Sequence, residues 1–174
     1  MLISQSIIRL NCENVMPGKA VIIMGSERDL DFSREIAKYL KLLGVAYEFR
    51  VSSAHKSPES VLEIIREFQN EKIVYITVAG RSNALSAFVD ANSSKPVIAC
   101  PPYSETYSGV DIFSSLRVPS GVGSVVTVEP EGAAIATAKI FGLENTSAAE
   151  TVKAYQASKK KELEEANESV KKLK

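Results

Sequence analysis

Histidine is the scarcest informative residue of this chain: one occurs among 174 residues, at position 55. Imidazole is the only side chain whose ordinary pKa lies near neutrality, so a proton moved by a histidine here is moved by His55. Cysteine is nearly as rare. Cys12 and Cys100 are too few for a disulfide framework and are not spaced as metal ligands, and with a single histidine beside them no zinc site is expected. Cys100 ends an apolar run and reads as a small buried hydrophobe. An excess of one charge is missing as well, since 21 basic and 21 acidic side chains cancel. Nucleic-acid and membrane-surface binders need a positive surplus, so neither partner class is expected, although a local basic pocket for one phosphate remains compatible. No stretch reaches the roughly 18 apolar residues of a membrane span. Met1 to Gly18 contains a short apolar piece (Ile7, Ile8, Leu10) without a basic leader or a small-residue cleavage site. It reads as an extension outside the main fold, and a cytoplasmic address is expected.

The remaining chain is long enough for one domain with a substantial core. Lys19 to Met24 is a continuous apolar run, the mark of a parallel strand covered on both faces. Helical spacing follows from Asp29 to Leu43, with Gly44 as the stop. Ala46 to Val51 alternates as a second strand. Ser57 then suits an N-cap, Pro58 the first helical position and Glu59 the positive end of the helix dipole. Ile73 to Val78 is the third strand, followed by a short helix to about Ala91. Lys95 to Cys100 is the fourth strand, halted by Pro101-Pro102, and Ser124 to Val128 the fifth, leading to an Ala-rich helix over Gly132 to Phe141. Strands alternating with helices imply an α/β fold: a three-layer, doubly wound parallel sheet of flavodoxin-like type. The expected organisation is an extension over 1–18, a catalytic domain over 19–145 and a charged helix over 146–174. The thin apolar line on that helix (Val152, Tyr155, Leu163, Ala166, Val170, Leu173) suits either a solvated surface or a seam on a neighbouring subunit.

In such a sheet the ligand lies across the carboxyl ends of the strands. Three loops qualify: Gly25-Ser26-Glu27-Arg28-Asp29, Ser52 to Ser57 around His55, and Ala79-Gly80-Arg81-Ser82-Asn83-Ala84. Each is small and polar and leads into a helix whose first N–H groups are available to an anion. The hydroxyls of Ser26, Ser53 and Ser82, with Arg28, Lys56 and Arg81, suit a sugar phosphate. Asp29 suits ribose hydroxyls or a helix cap, and the residues leave both open. Neither G-x-G-x-x-G nor G-x-x-x-x-G-K-[ST] occurs, which argues against dinucleotide redox chemistry and ATP hydrolysis, and no G-x-S-x-G elbow occurs. Proton transfer by His55 on a phosphorylated small molecule is what remains.

These loops resemble those of the phosphoribosylaminoimidazole (AIR) carboxylase family of purine biosynthesis. Gly25-Ser26-x-x-Asp29 resembles that family's first loop, and Ser53-Ala54-His55-Lys56-x-Pro58 its histidine loop. Ala79 to Leu85, Pro96-Val97-Ile98-x-Cys100-Pro101-Pro102, Ser114-Ser115-Leu116-Arg117-x-Pro119-Ser120-Gly121 and Pro130-Glu131-Gly132 are similar to motifs of one branch. The common bacterial branch, a mutase of the N5-carboxylated nucleotide, has Arg after the loop histidine and a second histidine. This chain has Lys56 and no other histidine. It therefore resembles the animal-type branch, which carboxylates AIR with CO2 to 4-carboxy-AIR (CAIR) and needs no ATP, biotin or metal. Arg28 departs from that family's usual serine. The resemblance implies catalysis by His55 with Lys56. It implies substrate binding by Gly25, Ser26, Asp29, Ser53, Lys56, Gly80, Arg81 and Ser82. CO2 has no charge to grip, so its pocket is expected to be small and dry, at Ser82, Asn83 and Ala84, with backbone N–H donors from Gly80 to Ala84. No cofactor is implied, and a homo-oligomer, tetramer or octamer, is. The competing expectations are the mutase, a carboxylase of another nucleotide, and a nucleotide-binding module without turnover.

Overall fold

The computed structural model describes Met16 and residues 18–173; most of the extension, including Ile7, Ile8, Leu10 and Cys12, lies outside the described residues. Five parallel strands, β1 (Lys19–Met24), β2 (Ala46–Val51), β3 (Ile73–Val78), β4 (Val97–Ala99) and β5 (Val125–Val126), form one sheet in the order β2-β1-β3-β4-β5. β1, β3 and β4 are the inner strands, and the unbroken apolar runs of β1 and β3 are buried almost throughout. β2 is an edge strand and keeps polar residues at alternate positions.

Helices cover both faces. On one side, α1 (Leu30–Leu42) and α5 (Pro130–Gly142) pack Ile36, Leu40, Ala134 and Phe141 against Ile22, Ile76 and Ile98. On the other, α2 (Pro58–Phe68) and α3 (Ala84–Ala91) pack Val61, Ile65, Phe68, Leu85 and Val89 against Val21, Ile23 and Tyr75. Cys100 is fully buried, as its place at the end of an apolar run suggested. The three-layer, doubly wound architecture expected from the alternation is the one observed.

Two strands are shorter than their sequence patterns. The fourth, expected over Lys95 to Cys100, is Val97–Ala99, and the fifth, expected over Ser124 to Val128, is Val125–Val126. Pro96 has no N–H for the ladder and contributes only its carbonyl, 3.0 Å from Tyr75 N. β5 is an edge strand whose ladder ends after Ile98↔Val125 and Ala99↔Val126. α5 begins two residues earlier than expected, because Pro130 fits a first helical position.

After a short helix α4 (Phe113–Leu116), the chain finishes in α6 (Thr146–Lys171), whose N-cap Asn145 accepts a 2.8 Å bond from Ala148 N. Ala148, Val152 and Tyr155 are buried on the core, and Tyr155 donates to Glu131 at 2.9 Å. The apolar line then leaves the fold: Leu163, Val170 and Leu173 are 73%, 64% and 83% exposed. Among the described residues, no helix is long and apolar enough to cross a membrane.

Candidate active site

With β1 and β3 adjacent, the chain runs outward in opposite directions from the sheet centre, which opens a crevice at the carboxyl ends of these strands. The loops after β1, β2, β3 and β4 all reach a cleft of about 680 Å³ there. Gly25 makes the close approach possible. Its N–H donates to Val78 O at 2.8 Å, and a Cβ added at Gly25 would come within 3.2 Å of Ala79 Cβ. The first and third loops therefore touch edge to edge.

The first loop closes on itself. Ser26 donates to Asp29 Oδ2 from both its backbone N–H and its hydroxyl, each at 3.1 Å. Asp29 thus ties the helical turn Glu27–Asp29 that leads into α1, and it also lines the cleft, so the two roles open in the sequence coexist. Partial burial pushes its carboxyl pKa up, and the two Ser26 bonds oppose that rise.

The second loop is also tied locally. Ser57 N and Lys56 N donate to Ser53 O at 2.8 and 3.2 Å, and Lys56 N lies 3.3 Å from Ser53 Oγ. Ser57 occupies the N-cap position as expected, but its hydroxyl does not cap α2. It turns back, accepting from Ser53 N at 3.2 Å and lying 3.4 Å from Ser53 O. The result is a tight turn with Ala54, His55 and Lys56 on its outside, where His55 and Lys56 are solvent-exposed and line the cleft.

The third loop differs. Arg81 has φ 60°, a left-handed conformation uncommon for a residue with a side chain. Its N–H donates to Asp111 Oδ2 at 2.7 Å, and its carbonyl accepts from the Ser114 hydroxyl at 2.7 Å. Asn83 N donates to the same hydroxyl at 3.0 Å, Asn83 Nδ2 donates to Ser115 Oγ at 2.9 Å, and Ala84 N donates to Ser82 O at 2.9 Å. The expected CO2 pocket drew on the N–H groups of Gly80 to Ala84. The N–H groups of Arg81, Asn83 and Ala84 are already engaged within the protein. Asn83 is buried as the cap of α3, where its side chain accepts from Ser86 N, and neither it nor Ala84 is among the cleft-lining residues. Of the three pocket residues, Ser82 alone faces the cleft, together with Gly80 and Arg81 beside it.

Sequence reasoning missed the fourth loop. Pro102, Tyr103 and Ser104 line the cleft, and Leu85 adds a buried apolar wall. The Pro101-Pro102 pair reads as a strand terminator, yet the rule that sites gather at carboxyl ends applies to β4 as it does to β1 to β3. Tyr103, 73% exposed, lies against Gly109, where a Cβ would come within 2.8 Å of its ring and φ is +75°. Electrostatically the lining is basic: Arg28, Lys56 and Arg81 against one carboxylate, Asp29. A phosphate is the anion such a wall of cations, hydroxyls and helix starts accommodates. Among the described residues no group of three or more His, Cys, Asp and Glu side chains is placed to hold a metal ion.

A family model described as AIR carboxylase matches residues 19–162. The chain belongs to the AIR carboxylase family. The matched span includes all four cleft loops and stops before the far end of α6. A phosphoribosylaminoimidazole carboxylase of Archaeoglobus fulgidus is 55% identical over 152 residues, 87% of this chain and 84% of that protein. The crystal structure of Treponema denticola PurE superposes with a TM-score of 0.86 at 41% identity, covering 88% of this chain and 99% of that one. A longer Drosophila melanogaster protein, named bifunctional phosphoribosylaminoimidazole carboxylase/phosphoribosylaminoimidazole succinocarboxamide synthetase, is 43% identical over 76% of this chain and 32% of its own length. The family resemblance drawn from the loop motifs is thereby established.

Proposed function

We propose that this enzyme of purine biosynthesis carboxylates AIR directly with CO2, giving CAIR without ATP. The observation that carries the reading is the position of the chain's one imidazole, on the same cleft as three cations and the hydroxyls of Ser26, Ser53 and Ser82. The aminoimidazole ring is an electron-rich enamine, so its C4 attacks CO2 and forms the carbon–carbon bond without a cofactor. C4 is then tetrahedral, carrying both a proton and the new carboxylate. Neutral His55 removes that proton and the C–H electron pair restores the aromatic ring; in reverse, protonated His55 returns it and CO2 departs. General acid–base assistance of this kind is worth ~10²–10⁴-fold.

Ser26, Asp29 and Ser53, with the Gly25 and Gly80 backbone and Arg81, hold the ribose phosphate. Lys56, next to His55, supplies a cation to the phosphate or to the new carboxylate. With the Arg81, Asn83 and Ala84 amides engaged, the Ser82 hydroxyl and the N–H groups of Gly80 and Ser82 are the donors of that loop we assign to the CO2 oxygens. Use of CO2 rather than the N5-carboxylated nucleotide is supported by Lys56, by the lack of a second histidine in the chain, and by similarity to an animal bifunctional carboxylase.

The test is to supply purified protein with AIR and bicarbonate, and separately with the N5-carboxylated nucleotide, in the absence of any nucleoside triphosphate. CAIR formed from the first mixture is the expected result. Consumption of the second substrate alone overturns the proposal in favour of the mutase. We also place the protein in the cytoplasm, on its membership of a biosynthetic family, and in a homo-oligomer, tetramer or octamer, supported by the exposed apolar residues at the end of α6 and by exposed Tyr107, Val110 and Phe113. Sedimentation of a monomer at micromolar concentration counts against that assembly.

A further inference from the structure

We infer that Asp111 and Ser114 are positioning residues that set the third loop and so present Ser82 to the cleft; this rests on the CO2 reading above. The turn from Gly80 to Asn83 cannot hold itself. Arg81 sits at φ 60° without a glycine's freedom, and the one short-range bond in the loop, Ala84 N to Ser82 O, lies beyond it. What fixes Arg81 arrives from 30 and 33 residues away: the Asp111 carboxylate on its N–H, and the Ser114 hydroxyl on its carbonyl. The Ser114 hydroxyl also accepts from Asn83 N, and Ser115 accepts from the Asn83 side chain. The residues on both sides of Ser82 are therefore tied to one segment, while Ser82 itself is exposed on the cleft.

The Asp111 bond is charge-assisted, and at 2.7 Å it fills the backbone donor that an external anion would otherwise take. The Asp111 Oδ2 is taken up by the Arg81 N–H, so we assign Asp111 to the loop and not to substrate. The helical turn Val110–Ile112 and α4 bring Asp111, Ser114 and Ser115 to the loop together, which gives the Ser114-Ser115 motif a physical role. The first and second loops carry their own local ties. Loss of Asp111 is thus felt most in the use of CO2 and less in the binding of AIR, whose phosphate Gly80 and Arg81 share with the first and second loops.

The experiment compares the full-length chain with Asp111→Ala, Asp111→Asn and Ser114→Ala. It reads kcat/KM for CO2, KM for AIR, and hydrogen exchange of the Arg81 and Asn83 amides. Asp111→Ala is expected to lower kcat/KM for CO2 by about 10²-fold, the scale on which a loosely held catalytic group loses rate. KM for AIR is expected to stay within about 3-fold, and protection of the Arg81 amide is expected to vanish. Asp111→Asn keeps an oxygen acceptor at the same place and restores both protection and CO2 use to within about 10-fold of the parent. Ser114→Ala follows Asp111→Ala in direction and also releases the Asn83 amide.

Should Asp111→Ala fail to fold, the Asn and Ser114 variants carry the same comparison. Parent-like CO2 kinetics in both Ser114→Ala and Asp111→Ala overturn the inference, as they do in Ser114→Ala alone where Asp111→Ala does not fold. So does an equal rise in KM for AIR, which marks a general loss of structure, or an Asn variant as impaired as the Ala variant. If the parent itself shows no CO2-dependent turnover, the CO2 reading has failed, and the amide exchange still decides whether Asp111 and Ser114 hold the loop.

Discussion

The turn that carries His55 is tied by hydrogen bonds spanning three to five residues, from Lys56 and Ser57 back to Ser52 and Ser53. The turn that carries Ser82 is tied by bonds spanning 30 to 33 residues, to Asp111, Ser114 and Ser115. Both turns end a strand, begin a helix and face one cleft. The local turn forms with its own strand–helix unit and needs little else. The distant one becomes rigid only after the chain has passed through β4 and returned, when a long loop has been closed at an entropic cost. One cleft thus combines a self-supporting turn with a turn whose shape is imposed from outside.

The sharpest way to separate the two is His55→Asn. Turnover should fall by ~10²–10⁴-fold, the worth of general acid–base assistance. The melting temperature should stay unchanged, because His55 is exposed and the bonds of its turn come from its neighbours. Steady-state kinetics together with circular dichroism check both halves; near-normal turnover removes His55 from the chemistry. Ser82→Ala comes next. Use of CO2, read as kcat/KM, should fall by about 10²-fold, the lower end of the ~10²–10³ lost with one preorganised donor, because the hydroxyl is exposed. An unchanged CO2 dependence eliminates the Ser82 hydroxyl as a donor.

A paired experiment then sharpens the contrast, since Ser57 and Ser114 each supply one hydroxyl to a turn. Ser57→Ala should cost about 1 kcal/mol of stability, the usual net value of a side-chain hydrogen bond, and raise KM for AIR a few-fold while CO2 use is kept. Ser114→Ala should do the reverse, weakening CO2 use more than AIR binding. Identical profiles for the two variants erase the distinction between the turns.

The smallest effect is expected at Cys100, which lies at the same end of the sheet and supports neither turn. Burial, with a further contribution from Glu129, pushes its thiol up to about 12. Native protein treated with iodoacetamide at pH 8 should show no adduct on the Cys100 peptide, whereas denatured protein should be labelled fully. Between the ordinary value of 9.0 and about 12 the unfolded chain has lost this proton while the folded chain keeps it. The stability linked to that proton is therefore complete below the lower value and declines as pH rises through the window.

Much of this was legible in advance for one reason: it depended on short-range order. The continuous apolar runs of β1 and β3 announce strands buried on both faces, and Ser57-Pro58 announces the start of α2. The polar loops after β1, β2 and β3 announce the cleft. The lengths of β4 and β5 were not legible, because a strand ends where its partner stops offering bonds, and that partner is elsewhere in the chain. Tyr103 was hidden behind a proline pair that reads as punctuation. The occupied amides of the third loop were hidden more deeply still, since nothing near Arg81 in the chain foretells Asp111.

By itself the chain of residues determined the α/β alternation, the family to which the protein belongs and the identity of its only imidazole, because periodicity and local turn chemistry are written within a few positions of one another. Tertiary structure alone decided which donors of the third loop remain available, that Tyr103 joins the cleft, and that α6 buries its first apolar residues and exposes its last. Those outcomes depend on segments tens of residues apart meeting in space, and hydrogen bonds and packing across such gaps leave no repeating pattern in the sequence that makes them.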